Sequence, residues 1–224
     1  MYNEEKTISE LLEKVEAQVQ INKQIIIVDD GSKDKSIKEI EKFPFNSDKI
    51  IIKREQNYGK GAAIKIAKKH ISGDIIIIQD ADLEYSPNDY GNLIKPIISK
   101  KSSVVYGSRV LGKVRYDLKG FISFFRIFGN HIMTLISNFI NNQKLTDAHT
   151  CYKVFTKEVF DKIILKENGF SFCPEVTTKI SKLGYNIIEV PISYNGRSYK
   201  EGKKIQISDA FHAFKTIIKY KYFN

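Results

Sequence analysis

Two short runs of β-branched residues, each ending in aspartates, restrict the fold of this chain more than any other feature. Residues 25–28 (Ile-Ile-Ile-Val) precede Asp29 and Asp30, and residues 75–78, four isoleucines, precede two further aspartates. Such continuous apolar runs suit parallel strands that are buried on both faces of a sheet. Helical patterns follow each run. This β-α-β-α order predicts an α/β fold with a mostly parallel sheet, and ligand binding beyond the carboxyl ends of its strands.

The second half of the chain is marked by two predicted amphipathic helices. Phe, Ile and Leu recur every three or four residues at about 118–141 and again at about 206–221. The length of 224 residues fits a single domain, with a first half at 1–110 and a second half at 111–224. We recognise no signal peptide, and no run of the roughly 18 apolar residues that a spanning helix needs. We therefore expect a cytoplasmic protein.

The positive charge is concentrated in two segments. The chain has 36 Lys and Arg against 26 Asp and Glu, a net charge of +10. Residues 109–126 hold five bases and one acid, and residues 197–224 hold seven bases and two acids, so these segments carry +4 and +5. Such segments indicate an anionic partner, namely phosphate groups or an anionic membrane surface. A nucleic acid is not expected, because no motif that reads bases is recognisable.

The aspartates after the second run have the spacing of a metal site. In an extended segment Asp80 and Asp82 point the same way, and Glu84 lies two positions further on. Carboxylate oxygens suit Mg²⁺ or Mn²⁺, ions that commonly bridge protein carboxylates and substrate phosphates. The alternatives are an ordinary acidic turn at this point and a helix N-cap at Asp29 and Asp30.

A glycine-rich loop opens the helix that follows the second predicted strand. Lys60 lies between Gly59 and Gly61, where the loop becomes a helix. Backbone N–H groups at such a point can hold phosphate, and Lys60 adds a positive charge. A plain packing turn explains the glycines equally well. The loop matches neither the dinucleotide-binding motif nor the P-loop motif.

Together, these elements resemble a known family. Its motifs occur in order as Tyr2-Asn3-Glu4-Glu5, Val28-Asp29-Asp30-Gly31-Ser32, Asn57-Tyr58-Gly59-Lys60-Gly61, Asp80-Ala81-Asp82-Leu83-Glu84, Gly107-Ser108-Arg109 and Thr150-Cys151-Tyr152-Lys153. Along nearly its whole length the chain is similar to family 2 inverting glycosyltransferases of the GT-A fold, which is Rossmann-like and binds a nucleotide-sugar. Within that family it most resembles dolichyl- or polyprenyl-phosphate mannosyl- and glucosyltransferases.

The resemblance implies a role for each motif. The residues that would hold the base and ribose of the donor, GDP-mannose or UDP-glucose, are Tyr2, Glu4 and Asp29 or Asp30. Those that would hold Mg²⁺ or Mn²⁺ on the donor diphosphate are Asp80, Asp82 and Glu84, with Lys60 and Gly61 beside the diphosphate. Those that would hold the donor and acceptor phosphates are Arg109, Arg126, Arg197 and Lys203. The halves 1–110 and 111–224 would then serve the donor and the acceptor.

The implied reaction moves mannose or glucose to a polyprenyl (dolichol-type) phosphate, with the protein bound peripherally at the inner face of the membrane. A phosphate acceptor is already anionic near neutral pH and needs no base. Two alternatives stay open. A transferase that acts on a saccharide hydroxyl needs a carboxylate base, for which Asp147 and Glu175 are the candidates. A non-catalytic relative would bind only a nucleotide or an anionic membrane.

Three further positions bear on the expected fold and site. Family members have an apolar strand directly before the motif at Tyr2, whereas Met1 precedes it here, so we expect the sheet to lack its first strand. His149 lies beside Asp147, and one histidine near one aspartate is not a zinc set. Arg126 is on the polar side of its helix, whose apolar side belongs either in a core or at a membrane interface.

Overall fold

The computed structural model describes residues 1–112, 121–197 and 207–223, without the side chains of 121–127 and 207–209. The helices in these ranges are α1 (Ile8–Glu16), α2 (Ser36–Lys42), α3 (Lys60–Lys68), α4 (Tyr90–Ile98), α5 (Phe121–Asn141), α6 (Lys157–Lys162), α7 (Phe172–Lys182) and α8 (Ile207–Tyr222). The strands are β1 (Gln24–Asp29), β2 (Asp48–Lys53), β3 (Ile75–Ile77), β4 (Val104–Ser108), β5 (Lys153–Thr156) and β6 (Ile188–Pro191). The predicted alternation of strands and helices is confirmed, whereas the short helix α6 was not predicted.

The strands form two separate sheets. β1 pairs in parallel with β2, in the register that places Gln24 opposite Asp48. The second sheet has the order β3-β5-β4-β6, in which β4 and β6 are parallel. β5 runs antiparallel to both of its neighbours. The sequence predicted a mostly parallel sheet, and the reversed strand was missed because a buried run such as Val154-Phe155 suits either direction of pairing.

A cleft separates the two sheets. A cavity of about 2000 Å³ is lined on one side by residues 25–28 of the first sheet and on the other by residues 75–78 of the second. Among the described residues, only Met1 pairs with the open edge of β1, since its amino group donates to the Val28 carbonyl oxygen at 2.7 Å. Within the described residues, the backbone of Met1 is thus the segment that lies along this edge of β1. The isoleucines of β3 are only half-buried because they face this cleft.

Two groups of buried side chains form the core. One joins α1, α2 and α4 to strands of both sheets and includes Leu11, Ile40 and Leu93. The other packs α6 and α7 against the second sheet, where the rings of Phe155 and Phe160 stack with their centroids 5.2 Å apart. Each buried side chain of this size stabilises the fold by about 1.5 to 3 kcal/mol. Both halves of the chain supply strands to the second sheet, so they share a core.

The two amphipathic helices occur where they were predicted, although positions 118–120 and 206 lie outside the described residues. In α5 the polar residues face inward, since Thr134, Ser137 and Asn141 are buried. The apolar residues face outward, and Phe139 is 91% exposed. This arrangement excludes the core alternative for the described part of that side. Within the described ranges, no helix combines the length and the apolar character that crossing a membrane requires.

Candidate active site

The carboxyl end of β3 carries a buried aspartate that is balanced by a lysine. The Lys60 ammonium, at the start of α3, lies 2.5 Å from the Asp80 carboxylate. Burial raises the pKa of Asp80, but the Lys60 charge and a hydrogen bond from the Cys151 thiol outweigh it and hold that pKa below its usual value. Asp80 is therefore ionised and already has one cation beside it.

Asp82 carries the least balanced negative charge of this region. Burial, together with the nearby charges of Asp80 and Glu84, raises the pKa of Asp82 to about 6. One of its oxygens accepts a hydrogen bond from the backbone N–H of Glu84 at 3.1 Å. A carboxylate that is destabilised by its neighbours gains most from a bound cation.

Glu84 is engaged by the segment that follows β6. Its two oxygens accept hydrogen bonds from the Tyr194 hydroxyl at 2.9 Å and from the backbone N–H of Arg197 at 2.7 Å. Within the described residues, no set of three His, Cys, Asp or Glu side chains is arranged to hold a metal. In this structure Glu84 holds the 194–197 segment, and its role as a third metal ligand beside Asp80 and Asp82 stays a prediction.

Two carboxylates fit a divalent ion that completes its coordination with other oxygens. Mg²⁺ keeps several water ligands and is usually bound by one or two carboxylates and substrate phosphates. Asp80 and Asp82 are such a donor set, and the unbalanced charge of Asp82 favours a cation there. The site thus fits Mg²⁺ or Mn²⁺ on a diphosphate better than an ion enclosed by protein alone.

At the carboxyl end of β1, groups of the protein itself hydrogen-bond both aspartates. The Asp30 carboxylate accepts from Arg54 at 2.6 Å and from the backbone N–H groups of Tyr58 and Gly59 at 3.1 and 2.7 Å. Asp29 accepts from the backbone N–H of Ser32 at 3.2 Å. This Asp29 contact closes a turn and is not a helix N-cap, because α2 begins only at Ser36 with Lys35 at its N-cap position.

The N-terminal loop closes over the same cleft. Tyr2 and Glu4 line the cavity. Glu4 forms an ion pair with Arg197, whose Nη2 atom lies 2.8 Å from Oε2, and so joins two residues 193 positions apart. The structure thus brings Glu4 and Arg197 together with Asp80 and Asp82 in one cleft.

The glycines beside Lys60 are explained by close packing. A Cβ atom on Gly61 would lie 2.4 Å from the Glu167 carbonyl oxygen, and Gly59 has a positive φ of 98°. The carbonyl oxygen of Asn168 accepts the backbone N–H of Ala62 at 2.9 Å. The packing alternative therefore accounts for Gly61, and Lys60 is the member of this loop that reaches the acidic site.

Arg109 is held rigidly at the end of β4. Its Nε and Nη2 atoms donate to Asp147 at 2.6 and 2.8 Å, and Asn130 of α5 donates to the same carboxylate at 3.2 Å. Burial raises the pKa of Asp147, but the Arg109 charge outweighs it and lowers that pKa to about 2. A carboxyl of such low pKa is a weak base. Asp147 therefore orients Arg109 rather than accepting a proton.

Glu175 lies away from the cleft, in contacts that hold a loop. Its buried carboxylate accepts from the backbone N–H groups of Lys166 and Glu167 at 2.7 and 2.9 Å and from the Lys179 ammonium at 2.6 Å. It does not line the cavity that holds Asp82. Both of its oxygens thus hold this loop, and a catalytic role for Glu175 stays a prediction that these contacts do not support. The side chains of Arg126 and Lys203 lie outside the described residues.

Two contacts of the site were missed from the sequence. The Cys151 thiol hydrogen-bonds the Asp80 carboxylate, and Asn130 donates a hydrogen bond to Asp147, the partner of Arg109. The sequence could have indicated the first contact, because Asp147, His149 and Cys151 are each two residues apart and would point the same way in an extended segment. Nothing in the sequence indicated the second, which joins α5 to a loop 17 positions away.

Solved structures identify the fold. The chain superimposes on glucosyl-3-phosphoglycerate synthase from Mycobacterium tuberculosis, in a crystal structure with Mn²⁺ and UDP-glucose, with a TM-score of 0.71. That match has 16% identity and covers 98% of this chain and 74% of the other. The fold is therefore that of the GT-A glycosyltransferases, as predicted.

The family follows from the sequence comparisons. The model of glycosyl transferase family 2 matches residues 1–164. A dolichyl-phosphate β-glucosyltransferase of Trichomonas vaginalis is 28% identical, over 100% of this chain and 71% of that protein. A UDP-N-acetylglucosamine–dolichyl-phosphate N-acetylglucosaminyltransferase of Methanococcus voltae is 30% identical, over 98% of this chain and 93% of that protein. The chain belongs to glycosyl transferase family 2 and is a glycosyltransferase.

Proposed function

We propose that this glycosyltransferase moves a hexose from a nucleotide-sugar to a polyprenyl phosphate in a reaction that depends on Mg²⁺ or Mn²⁺. The observation that carries the proposal is the pairing of opposite charges in one cleft, where the poorly balanced Asp82 is accompanied by Arg109 and Arg197. The names of the relatives support it, because they transfer sugars to dolichyl phosphate.

The donor side of the site is formed by the ends of β1 and β3. Asp80 and Asp82 would hold the cation on the donor diphosphate, where it supplies Lewis-acid stabilisation of the leaving group. Lys60 can add its charge to the same diphosphate when the cation takes its place on Asp80. Tyr2 and Glu4 line the cleft on the side of Asp29 and Asp30, where the base and ribose of UDP-glucose or GDP-mannose would lie.

The acceptor side favours a phosphate over a hydroxyl. A sugar hydroxyl must lose its proton to a base, and the pKa of Asp147 is held near 2 by its bond to Arg109. Glu175, the other candidate base, does not line the cleft. A phosphate monoester is already anionic, and it needs cations such as Arg109 and Arg197 to bring it close to the diphosphate.

The proposed step is a single displacement at the anomeric carbon. An oxygen of the acceptor phosphate forms the new C–O bond while the bond to the donor diphosphate breaks, and the nucleoside diphosphate leaves with that electron pair. Both phosphates are anionic throughout, so no proton has to be moved. Arg109, oriented by Asp147, would offset the repulsion between the two groups.

The outer surface of α5 and α8 suits peripheral binding to an anionic membrane. These helices pack together and expose apolar residues at helical spacing, namely Phe128, Ile132, Leu135 and Phe139 on α5 and Phe211, Phe214 and Tyr222 on α8. Lys215 and Lys219 accompany them, and residues 121–146 contain no acid. An apolar face with basic neighbours enters the headgroup region, and each basic residue adds about 1 kcal/mol. This surface would hold the protein at the inner face of the membrane.

The proposed reaction is tested by incubating the protein with labelled UDP-glucose or GDP-mannose, polyprenyl phosphate and Mn²⁺. We expect one donor to give a labelled lipid product, and no product after chelation with EDTA. A product with a saccharide acceptor and none with polyprenyl phosphate would overturn the proposal.

The membrane surface is tested separately, by sedimentation with vesicles that contain anionic lipids. Leu135→Glu combined with Phe139→Glu should abolish binding, whereas Ile164→Glu, at an exposed apolar residue elsewhere, should leave it unchanged. Equal binding by both variants would show that this surface does not face lipid.

A further inference from the structure

A short segment connects the donor and acceptor sides of the cleft. Asp147 holds Arg109, and four residues later the Cys151 thiol bonds the Asp80 carboxylate. His149 lies midway between them, and its side chain lines the same cavity. Along the chain, His149 therefore lies between the residue that holds Arg109 and the residue that contacts Asp80.

The His149 ring has a hydrogen-bonding group without a partner. Its Nε2 atom is buried and bonds to no atom of the described residues. A buried polar atom left unpaired costs about 1 to 3 kcal/mol, and native structures contain few of them. His149 also lines the cleft, and a half-turn about the Cβ–Cγ bond would exchange the two edges of the ring, so a ligand in the cleft is a candidate partner for this nitrogen.

The surroundings of His149 keep the imidazole neutral. Burial and the charges of Lys153 and Arg109 outweigh the attraction of Asp147 and lower the pKa of His149 to about 4. A neutral imidazole has one nitrogen that donates and one that accepts a hydrogen bond. It offers no charge to a phosphate, but it matches a hydroxyl group, which also donates and accepts.

We propose that His149 hydrogen-bonds a hydroxyl group of the hexose being transferred and thereby contributes to the choice of sugar. The inference rests on the proposed function, because that reaction fixes where the hexose lies. The leaving and entering oxygens are on opposite sides of the anomeric carbon, so the ring lies between the diphosphate at Asp82 and the phosphate at Arg109. His149 lines the same cleft, near Arg109, and would lie beside that interval.

The test measures how much the sugar adds to binding. Calorimetry with Mn²⁺ gives the dissociation constants of UDP and UDP-glucose, and of GDP and GDP-mannose, and their ratio reports the contribution of the hexose. His149→Phe keeps a flat ring but removes both nitrogens, and it should reduce that ratio about fivefold while leaving UDP or GDP binding unchanged. His149→Gln, which restores a donor and an acceptor, should recover most of the ratio. His70→Phe, at an exposed histidine, is the control.

Each outcome decides the proposal. An unchanged ratio in His149→Phe would overturn it, and so would an equal loss of nucleoside diphosphate and nucleotide-sugar binding, since that result places the ring in the scaffold. If thermal unfolding shows that the Phe variant is not folded, His149→Ala gives the same comparison. Failure of the proposed function looks different, because it appears in the transfer assay as a missing polyprenyl product or as a saccharide product, and not as a change in this ratio.

Discussion

The ends of β1 and β3 have similar sequences and opposite electrostatics. At β1, Asp30 accepts hydrogen bonds from Arg54 and two backbone N–H groups, and its charge is balanced. At β3, Lys60 balances Asp80, but the pKa of Asp82 is raised to about 6 by burial and by its acidic neighbours. The difference teaches that position at the end of a buried strand does not make an aspartate a ligand. We therefore expect these two aspartates to differ in role, with Asp30 stabilising the fold and Asp82 binding a cation.

Removal of the balanced aspartate should give the largest effect. Asp30→Ala leaves Arg54 without its partner in a site where both side chains are largely buried, and breaking such a pair costs about 3 to 5 kcal/mol. Urea unfolding measures this loss of stability. A cost below about 1 kcal/mol would show that β1 does not depend on this contact, and the two strand ends would then be alike.

Removal of the unbalanced aspartate should affect activity instead. Asp82→Asn keeps the size of the side chain and removes a charge that the fold does not need, so turnover should fall about 100-fold or more while stability is maintained. Product formation with Mn²⁺ is compared with that of Asp161→Asn, a surface aspartate paired with Lys157. Full activity in Asp82→Asn would remove this residue from the site.

A strand added between β1 and β3 should stabilise both of them. Met1 already pairs with β1, since its carbonyl oxygen accepts the Asp30 N–H at 2.9 Å. A segment of about six β-branched residues fused before Met1 would continue this pairing into the cleft and bury the isoleucines that line it. We expect a gain of about 2 kcal/mol, or about 5 °C in Tm, and tighter donor binding. A Gly/Ser segment of equal length is the control, and equal melting temperatures would contradict the expectation.

The smallest expected effect is a difference between Asp82→Asn and the unsubstituted protein in how their stability depends on pH. In the metal-free protein, Asp82 binds a proton below about pH 6 when folded and only below about pH 4 when unfolded. The folded state therefore holds more protons between these values, and the Asp82 contribution falls as the pH rises from 4 to 6. The free energy of unfolding of Asp82→Asn minus that of the unsubstituted protein should rise over this range and then level off. A flat difference would show that Asp82 is not destabilised.

Much of this fold could be predicted from periodicity, while partners distant in the sequence could not. The runs before Asp29 and Asp80 located β1 and β3 because apolar strands and their ends are local features. The direction of β5 depends on which edge it meets, and the sequence of a buried strand does not record this. The contacts that engage Glu84 and Glu175 come from segments folded over them. Composition alone shows that acids are present, and not which of them the fold has already paired.

The most direct test of the account is whether Mn²⁺ couples nucleoside diphosphate binding to Asp82. Calorimetry of UDP and GDP is carried out with Mn²⁺ or with EDTA, on the unsubstituted protein, Asp82→Asn and Asp161→Asn. We expect binding that requires Mn²⁺ in the unsubstituted protein and in Asp161→Asn, and that is lost in Asp82→Asn. Equal affinity in Asp82→Asn, or binding that EDTA leaves unchanged, would contradict the assignment of the β3 end as the site of the cation and the diphosphate.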